Sequence, residues 1–207
     1  MLSGSEQVLI ATRSAGKLRE LRPLFAERGL VVMDLDEAGI AESPKEDWLE
    51  VHATFEENAL AKAKYFRGIA RMPVFADDSG LVVPALGGDP GVLSKRWSGR
   101  PDLSGQALDD ENNRLLLERL RGVSDRRAHY VCAAAFVGSD RETVATGEVH
   151  GTIIDAPRGT GGFGYDPYFV SDELGRTFGE VSAEEKQQVS HRARAFRALL
   201  SAIYFEQ

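Results

Sequence analysis

Residues 7–35 read QVLIATRSAGKLRELRPLFAERGLVVMDL, and the fold is decided by this stretch. Residues 7–12 are a short apolar run closed by Thr12, the length of a buried strand rather than a helix. From Gly16 to Arg28 the apolar residues Leu18, Leu21, Leu24 and Phe25 recur at helical spacing and share one face. Gly29 stands where a helix C-cap belongs. Residues 30–35 return to strand composition. A strand, a helix and a second strand in that order favour an α/β fold with some parallel pairing, because parallel neighbours need a crossover between them.

Working outward, residues 36–50 are acidic and irregular. Thr54 and Glu57 have the spacing of a capping box. They predict a helix to about Gly68, with Phe55, Leu60, Ala63 and Phe66 as core contacts. Pro73 to Ala76 predict a strand ending in Asp77-Asp78-Ser79-Gly80, and Leu81 to Pro84 a further short one. Residues 86–101 hold four glycines and two prolines and read as a loop over a site. Residues 106–121 predict a helix. Residues 127–137 and 142–153 predict two antiparallel strands about Gly138-Ser139-Asp140. Ser182 with Glu185 makes a second capping box, opening a helix to about Tyr204. No repeat, low-complexity tract or long linker interrupts the chain. The expectation is one domain over residues 1–207: an elongated mixed β-sheet flanked by helices, with two lobes and a central substrate cleft.

Composition narrows the function. Of 207 residues, 43% are hydrophobic and 28% charged, ordinary for a globular protein. The net charge of -7 has the wrong sign for a protein that coats nucleic acid. No apolar run has the length of a membrane span. The opening MLSGSEQVLI has neither a basic n-region nor a long apolar h-region, so no signal peptide is expected. The single cysteine, Cys132, cannot form an internal disulfide or a zinc cluster alone, and it fits a reducing cytoplasm. An acidic chain that binds a nucleotide needs local lysines, backbone N–H groups or a divalent metal to offset the phosphates.

Five constellations meet that need. Thr12-Arg13-Ser14-Ala15-Gly16-Lys17 lies between a strand and a helix, where backbone N–H groups favour phosphate and Lys17 adds a full charge. It lacks the Walker A spacing, and an ordinary turn with a surface lysine would read the same way. Asp77-Asp78-Ser79-Gly80 places two carboxylates at a strand end, pointing to opposite faces. One could hold magnesium while the other supports the shell, or the four could simply form a turn. Asn58 and Lys62 share a helix face from which a lysine can reach a triphosphate, and Glu50 is a second candidate metal carboxylate. The run from Gly159 to Pro167 allows close backbone approach to a ligand. There Phe163 and Tyr165 could stack on a base and Asp166 could accept its N–H groups. Lys186, four before Ser190, precedes His191 and Arg192, all able to donate to a purine carbonyl.

Taken together, TRSAGK, TFEENALAKA, ADDSGL, LGGDPGV, GTGGFGYDP and EEK with SHR, in this order, resemble the inosine triphosphate pyrophosphatase family. The resemblance covers about residues 7–203. It implies hydrolysis of the non-canonical purine nucleotides ITP, dITP and XTP to the monophosphate and pyrophosphate, with magnesium (Mg2+). It assigns Thr12 to Lys17 to a phosphate-gripping loop and Lys62 to a second triphosphate contact. Asp78 becomes the proton acceptor and a magnesium ligand, with Glu50 as its metal partner and Asp77 in support. Ser79 becomes a substrate contact. Phe163, Gly164, Tyr165 and Asp166, with Lys186, His191 and Arg192, become the base pocket. A homodimer is implied as well. Two departures stand out: Ser14 where the family usually has asparagine, and His52 where glycine is common. The shorter Ser14 hydroxyl loses the reach of the amide.

The implied chemistry places a water attack under Asp78, with Lys17 and Lys62 stabilising charge on the departing pyrophosphate. Lys186 and Arg192 only donate, so a 6-keto oxygen satisfies them and a 6-amino group does not. Other readings are a related pyrophosphatase for modified pyrimidine nucleotides, a non-catalytic nucleotide sensor, and an interaction protein whose motifs are only turns and caps.

Overall fold

The structure is a computed structural model describing residues 7–205. The leader expectation therefore rests partly on residues outside those described. Six strands form one sheet in the order β2-β1-β3-β4-β5-β6. They are β1 (Val8–Ile10), β2 (Val32–Met33), β3 (Val74–Val82), β4 (Arg127–Val137), β5 (Glu142–Ile153) and β6 (Phe169–Ser171). The helices are α1 (Ala15–Ala26), α2 (Phe55–Ala70), α3 (Gly105–Arg119), α4 (Ala183–Val189) and α5 (His191–Phe205). No helix among the described residues is long and apolar enough to cross a membrane.

The opening stretch folds as its pattern predicts. β1 is buried throughout and pairs parallel with both β2 and β3. α1 buries Leu21, Leu24 and Phe25. It ends at Ala26, and the Leu30 N–H returns to the Phe25 carbonyl at 3.1 Å. The second strand is shorter than expected, two residues instead of six. β4 and β5 are sheet neighbours joined through Gly138–Arg141, which requires them to run antiparallel.

Several elements depart from expectation. Asp77-Asp78-Ser79-Gly80 is not a strand end: β3 runs straight through it, joining the two short strands into one of nine residues. The two aspartates can occupy a buried strand because neighbouring side chains satisfy them. The acidic stretch contains a 3₁₀ turn, Pro44–Trp48, capped by a Ser43–Glu46 box. Thr54 does cap α2 by accepting the Glu57 N–H, but the Glu57 carboxylate takes the Thr54 hydroxyl rather than its backbone N–H. The loop over residues 86–101 carries a short 3₁₀ turn, Gly91–Leu93. β6 was not foreseen. The final helix is two: Ser190 is extended (φ -65°, ψ 149°), closing α4 before α5 begins.

By compactness the chain divides into two units. The first runs to Asp78 and takes up Cys132–Gly147 and the chain from His191; the second comprises Ser79–Val131 and Glu148–Ser190. The first has its own apolar core, in which α1 and α5 meet β1, β3 and β4. Phe25 and Phe75 stack edge-on at 4.8 Å, with Phe136 4.9 Å from Phe75. The core of the second gathers Leu116 of α3 and Leu120 just after it with Tyr130, Val149, Tyr165, Phe169 and Phe178. Tyr130 meets Phe169 at 4.8 Å.

Candidate active site

In the first unit the turn into α1 presents an anion-ready end. Ser14 is the N-cap: its hydroxyl accepts the Lys17 N–H at 3.3 Å, and its own N–H is held by Thr12 Oγ1 at 3.1 Å. The short side chain that departs from the family pattern therefore serves as a helix cap. Ala15 and Gly16 open the first turn, where backbone N–H groups have no intrahelical acceptor. Arg13 points to the acidic segment instead, pairing with Glu46 at 2.9 Å and Asp36 at 3.2 Å and donating to the Ile40 carbonyl.

Lys17 reaches across to Asp77, Nζ to Oδ2 at 3.0 Å. Arg192 meets the same oxygen through Nε at 3.2 Å and pairs with Glu20 through its other side. The Cys132 thiol lies 3.9 Å from that oxygen. Lys62 donates to the Asp77 carbonyl at 2.9 Å and ion-pairs with Glu50. Asp78 has a different neighbour: Asn58 of α2 donates to its Oδ2 at 2.9 Å. Asn58 also accepts the His52 N–H at 2.9 Å, so one buried amide ties the start of α2 to the strand.

Electrostatics separate the two aspartates. Burial pushes Asp77 up, but Lys17, Arg192 and Lys62 outweigh it and hold the carboxyl well below the usual range. Burial also pushes Asp78 up, Glu50 adds to the effect, and the lysines only partly offset it. The Asp78 carboxyl is therefore raised, the direction a general base needs.

The cluster holds three cations, Lys17, Lys62 and Arg192, and four carboxylates, Glu20, Glu50, Asp77 and Asp78. It is thus negative by one charge before any polyanion arrives. Glu50 lies near enough to add to the rise of the Asp78 carboxyl, whose largest cause is burial. Two hard oxygen donors under mutual repulsion fit a divalent cation. Among the described residues no group of three His, Cys, Asp or Glu side chains could cage a metal.

The second unit holds the other set. Asp166 is buried; it accepts the Phe163 N–H at 2.8 Å, Lys186 Nζ at 2.6 Å and the Tyr130 hydroxyl at 3.3 Å. Lys186 lies over the Phe163 ring, 5.0 Å from its centroid. Gly162, at φ 73°, leaves no room for a side chain, since a Cβ there would stand 2.2 Å from Asp166 Oδ2. Phe163 is half-buried. Tyr165 is part of the core and donates to the Ser94 carbonyl at 2.8 Å, so it is not an open stacking surface. Ser79 is half-buried in β3.

The structure thus groups Phe163, Gly164, Tyr165, Asp166 and Lys186 in one unit, and Lys17, Lys62, Glu50, Asp77 and Asp78 in the other. It parts Arg192 from its expected companions. That guanidinium, 2% exposed, closes on Asp77 and Glu20, while His191, also buried, opens α5 in the same unit. The sequence reading gave no role to Asn58, although its spacing to Lys62 was the available signal. Glu20 and Cys132 had no signal: neither motif nor period ties them to Asp77.

A sequence model described as the Ham1 family matches residues 8–202. The chain belongs to the Ham1 family. Over 200 residues it is 44% identical to the dITP/XTP pyrophosphatase of Nitrosomonas europaea, covering 95% of this chain and 94% of that protein. The dITP/XTP pyrophosphatase of Burkholderia pseudomallei is likewise 44% identical, with 95% and 93% covered. Among solved structures, the Ham1 protein of Staphylococcus aureus superposes with a TM-score of 0.82 at 35% identity, covering 98% of this chain and 100% of that one. A nucleoside-triphosphatase / dITP/XTP pyrophosphatase of Mycobacterium abscessus gives 0.70 at 41%, covering 94% and 98%.

Proposed function

We propose that this Ham1-family chain hydrolyses the non-canonical purine nucleoside triphosphates ITP, dITP and XTP to the monophosphate and pyrophosphate. Its work is to keep these nucleotides out of DNA and RNA. The observation that carries the reading is the pair of adjacent aspartates with opposite electrostatics: Asp77 locked among Lys17, Arg192 and Lys62, Asp78 raised beside Glu50. Relatives at 44% identity that bear the name dITP/XTP pyrophosphatase support it.

The roles follow from what each group can do. The first-turn N–H groups of Ala15 and Gly16 and the ammonium of Lys17 receive phosphate oxygens of the triphosphate. Lys62 offsets the charge that grows on the departing pyrophosphate. Asp78, raised and held by Asn58, orients the attacking water and accepts its proton, a role typically worth 10²–10⁴-fold in rate. Asp77 keeps Lys17 in place. Asp78 and Glu50 would hold magnesium, which when bound neutralises phosphate oxygens and lowers the pKa of a water. Phe163 and Lys186 of the second unit take the base. Lys186 only donates, so a 6-keto oxygen is an acceptor it can engage and a 6-amino group is not. The same reading makes the enzyme a cytoplasmic homodimer, and the buried free thiol of Cys132 fits a reducing compartment.

The test is a substrate panel with magnesium: ITP, XTP, ATP and GTP, with products separated as monophosphate plus pyrophosphate or diphosphate plus phosphate. The expected result is monophosphate and pyrophosphate, with ITP and XTP well ahead. Equal rates on ATP or GTP would end the house-cleaning reading, and binding without turnover would leave a sensor.

A further inference from the structure

α3 is an odd helix. Of its fifteen residues three are buried, and two of those are Asn112 and Asn113; only Leu116 is apolar. Buried amides are costly unless their hydrogen bonds are needed, so the bonds they make are the clue.

Asn113 donates from Nδ2 to the Gly164 carbonyl at 2.9 Å, and also to the Asp109 carbonyl at 2.9 Å. Asp109, one turn earlier on the same face, accepts the Gly164 N–H through Oδ2 at 2.8 Å. Both backbone groups of one glycine are therefore taken by two side chains of one helix. Gly164 sits at φ 63°, in the left-handed region, between Phe163 and Tyr165. The other amide, Asn112, accepts the Ser98 N–H at 2.9 Å and donates to the Lys95 carbonyl at 3.0 Å. It thereby fixes the segment whose Ser94 carbonyl receives the Tyr165 hydroxyl. The acceptor half of Asn113, Oδ1, is buried and has no hydrogen-bond partner among the described residues. Asn113 therefore engages its neighbours through its NH₂ group.

We infer that Asp109 and Asn113 are positioning residues for base recognition: they clamp Gly164 and so set the direction in which Phe163 is presented and the reach of Asp166 to Lys186. The inference rests on the loop from Phe163 to Asp166 receiving the base, as proposed above. Both act through the Gly164 backbone that they hold. Their effect is on which base is accepted and how tightly, not on the phosphate chemistry of the first unit.

The experiment compares Asp109→Ala, Asn113→Ala and Asp109→Asn with the unaltered protein, first checking that each melts cooperatively. IMP carries the base without the pyrophosphate, and pyrophosphate is the tail without the base, so their affinities are measured separately by calorimetry in magnesium. Losing one bond of the clamp is expected to weaken IMP roughly tenfold while pyrophosphate is unchanged. For ITP, KM rises by about the same factor with kcat nearly constant, and the preference for ITP over GTP narrows. Asp109→Asn keeps an acceptor for the Gly164 N–H and is expected to restore IMP binding. If an alanine variant melts below the assay temperature, Asn113→Ser, polar but too short to reach Gly164, takes its place with the same expected split. Variants that fold and bind IMP as tightly as the unaltered protein overturn the clamp, as does a parallel loss of IMP and pyrophosphate. Failure of the unaltered protein to turn over ITP overturns the functional reading instead, and the two failures are distinguishable in one data set.

Discussion

Asp77 and Asp78 are consecutive in β3, yet their surroundings pull them in opposite directions. Asp77 faces three cations and stays ionised far into acid. The unfolded chain would bind a proton there near pH 3.9, so in that region unfolding takes up a proton and stability falls as pH falls. Urea midpoints are expected to start dropping below about pH 5 and to go on dropping as pH falls past about 3, and the drop is expected to be shallower in Asp77→Asn. Equal slopes would mean that other carboxylates carry the acid sensitivity. Asp78 is the reverse case. Its ionised form is disfavoured by burial and by Glu50, so a neutral isostere removes a strain rather than a support. Asp78→Asn is therefore expected to lose about 10²–10⁴-fold in kcat on ITP while its melting temperature holds or rises. Near-normal turnover with excess magnesium would remove Asp78 from the catalytic role. Asn58, which donates to Asp78 and accepts from His52, is buried completely. Asn58→Ala is expected to lower stability by about 1–3 kcal/mol in denaturant titrations, since partners are left unsatisfied. No change would show that water replaces the amide.

At the scale of elements, caps and punctuation decide how the chain is cut. The Ser182–Glu185 box is reciprocal, each side chain taking the other's backbone N–H. Ser182→Ala is expected to cost about 0.5–2 kcal/mol, read as a shift of the denaturant midpoint at unchanged slope. A neutral outcome would mean that packing alone sets where α4 begins. This box was legible in the sequence because its signal is local and stereochemical. So was the β1–α1–β2 opening, where Leu21, Leu24 and Phe25 mark one buried face. The continuity of β3 was not legible, because Asp77 and Asp78 look like turn residues until Lys17, Arg192 and Asn58, from distant segments, are seen to satisfy them. The break at Ser190 was hidden for a related reason: its flanks both have helical composition, and nothing local marks the extended residue between. Within the candidate site, the grouping of Lys17, Lys62 and the aspartates could be read from motif order. The pairing of Arg192 with Asp77 and Glu20 could not, since it joins residues more than a hundred positions apart.

Across the whole molecule, one chemical reporter distinguishes the two units. Cys132 is the sole thiol in the chain and lies in the core of the first unit, the second containing none. Burial raises the thiol well above its ordinary range, and only a thiolate reacts. Labelling by a water-soluble disulfide reagent must therefore wait for that unit to open. A ligand that binds the closed form alone suppresses opening by the factor 1 + [L]/Kd, about 2.7 kcal/mol or roughly 100-fold at a hundred times Kd. The ligand must survive the measurement, so the suitable protein is Asp78→Asn with magnesium and ITP. If the phosphate end of the nucleotide is gripped by the first unit, labelling slows by that factor with ITP and also with pyrophosphate, and denaturant speeds it in every case. Labelling that is slow on its own but indifferent to saturating pyrophosphate would mean that Lys17 and Lys62 do not hold the tail, because nothing bound at those lysines could leave the surrounding core equally free to open.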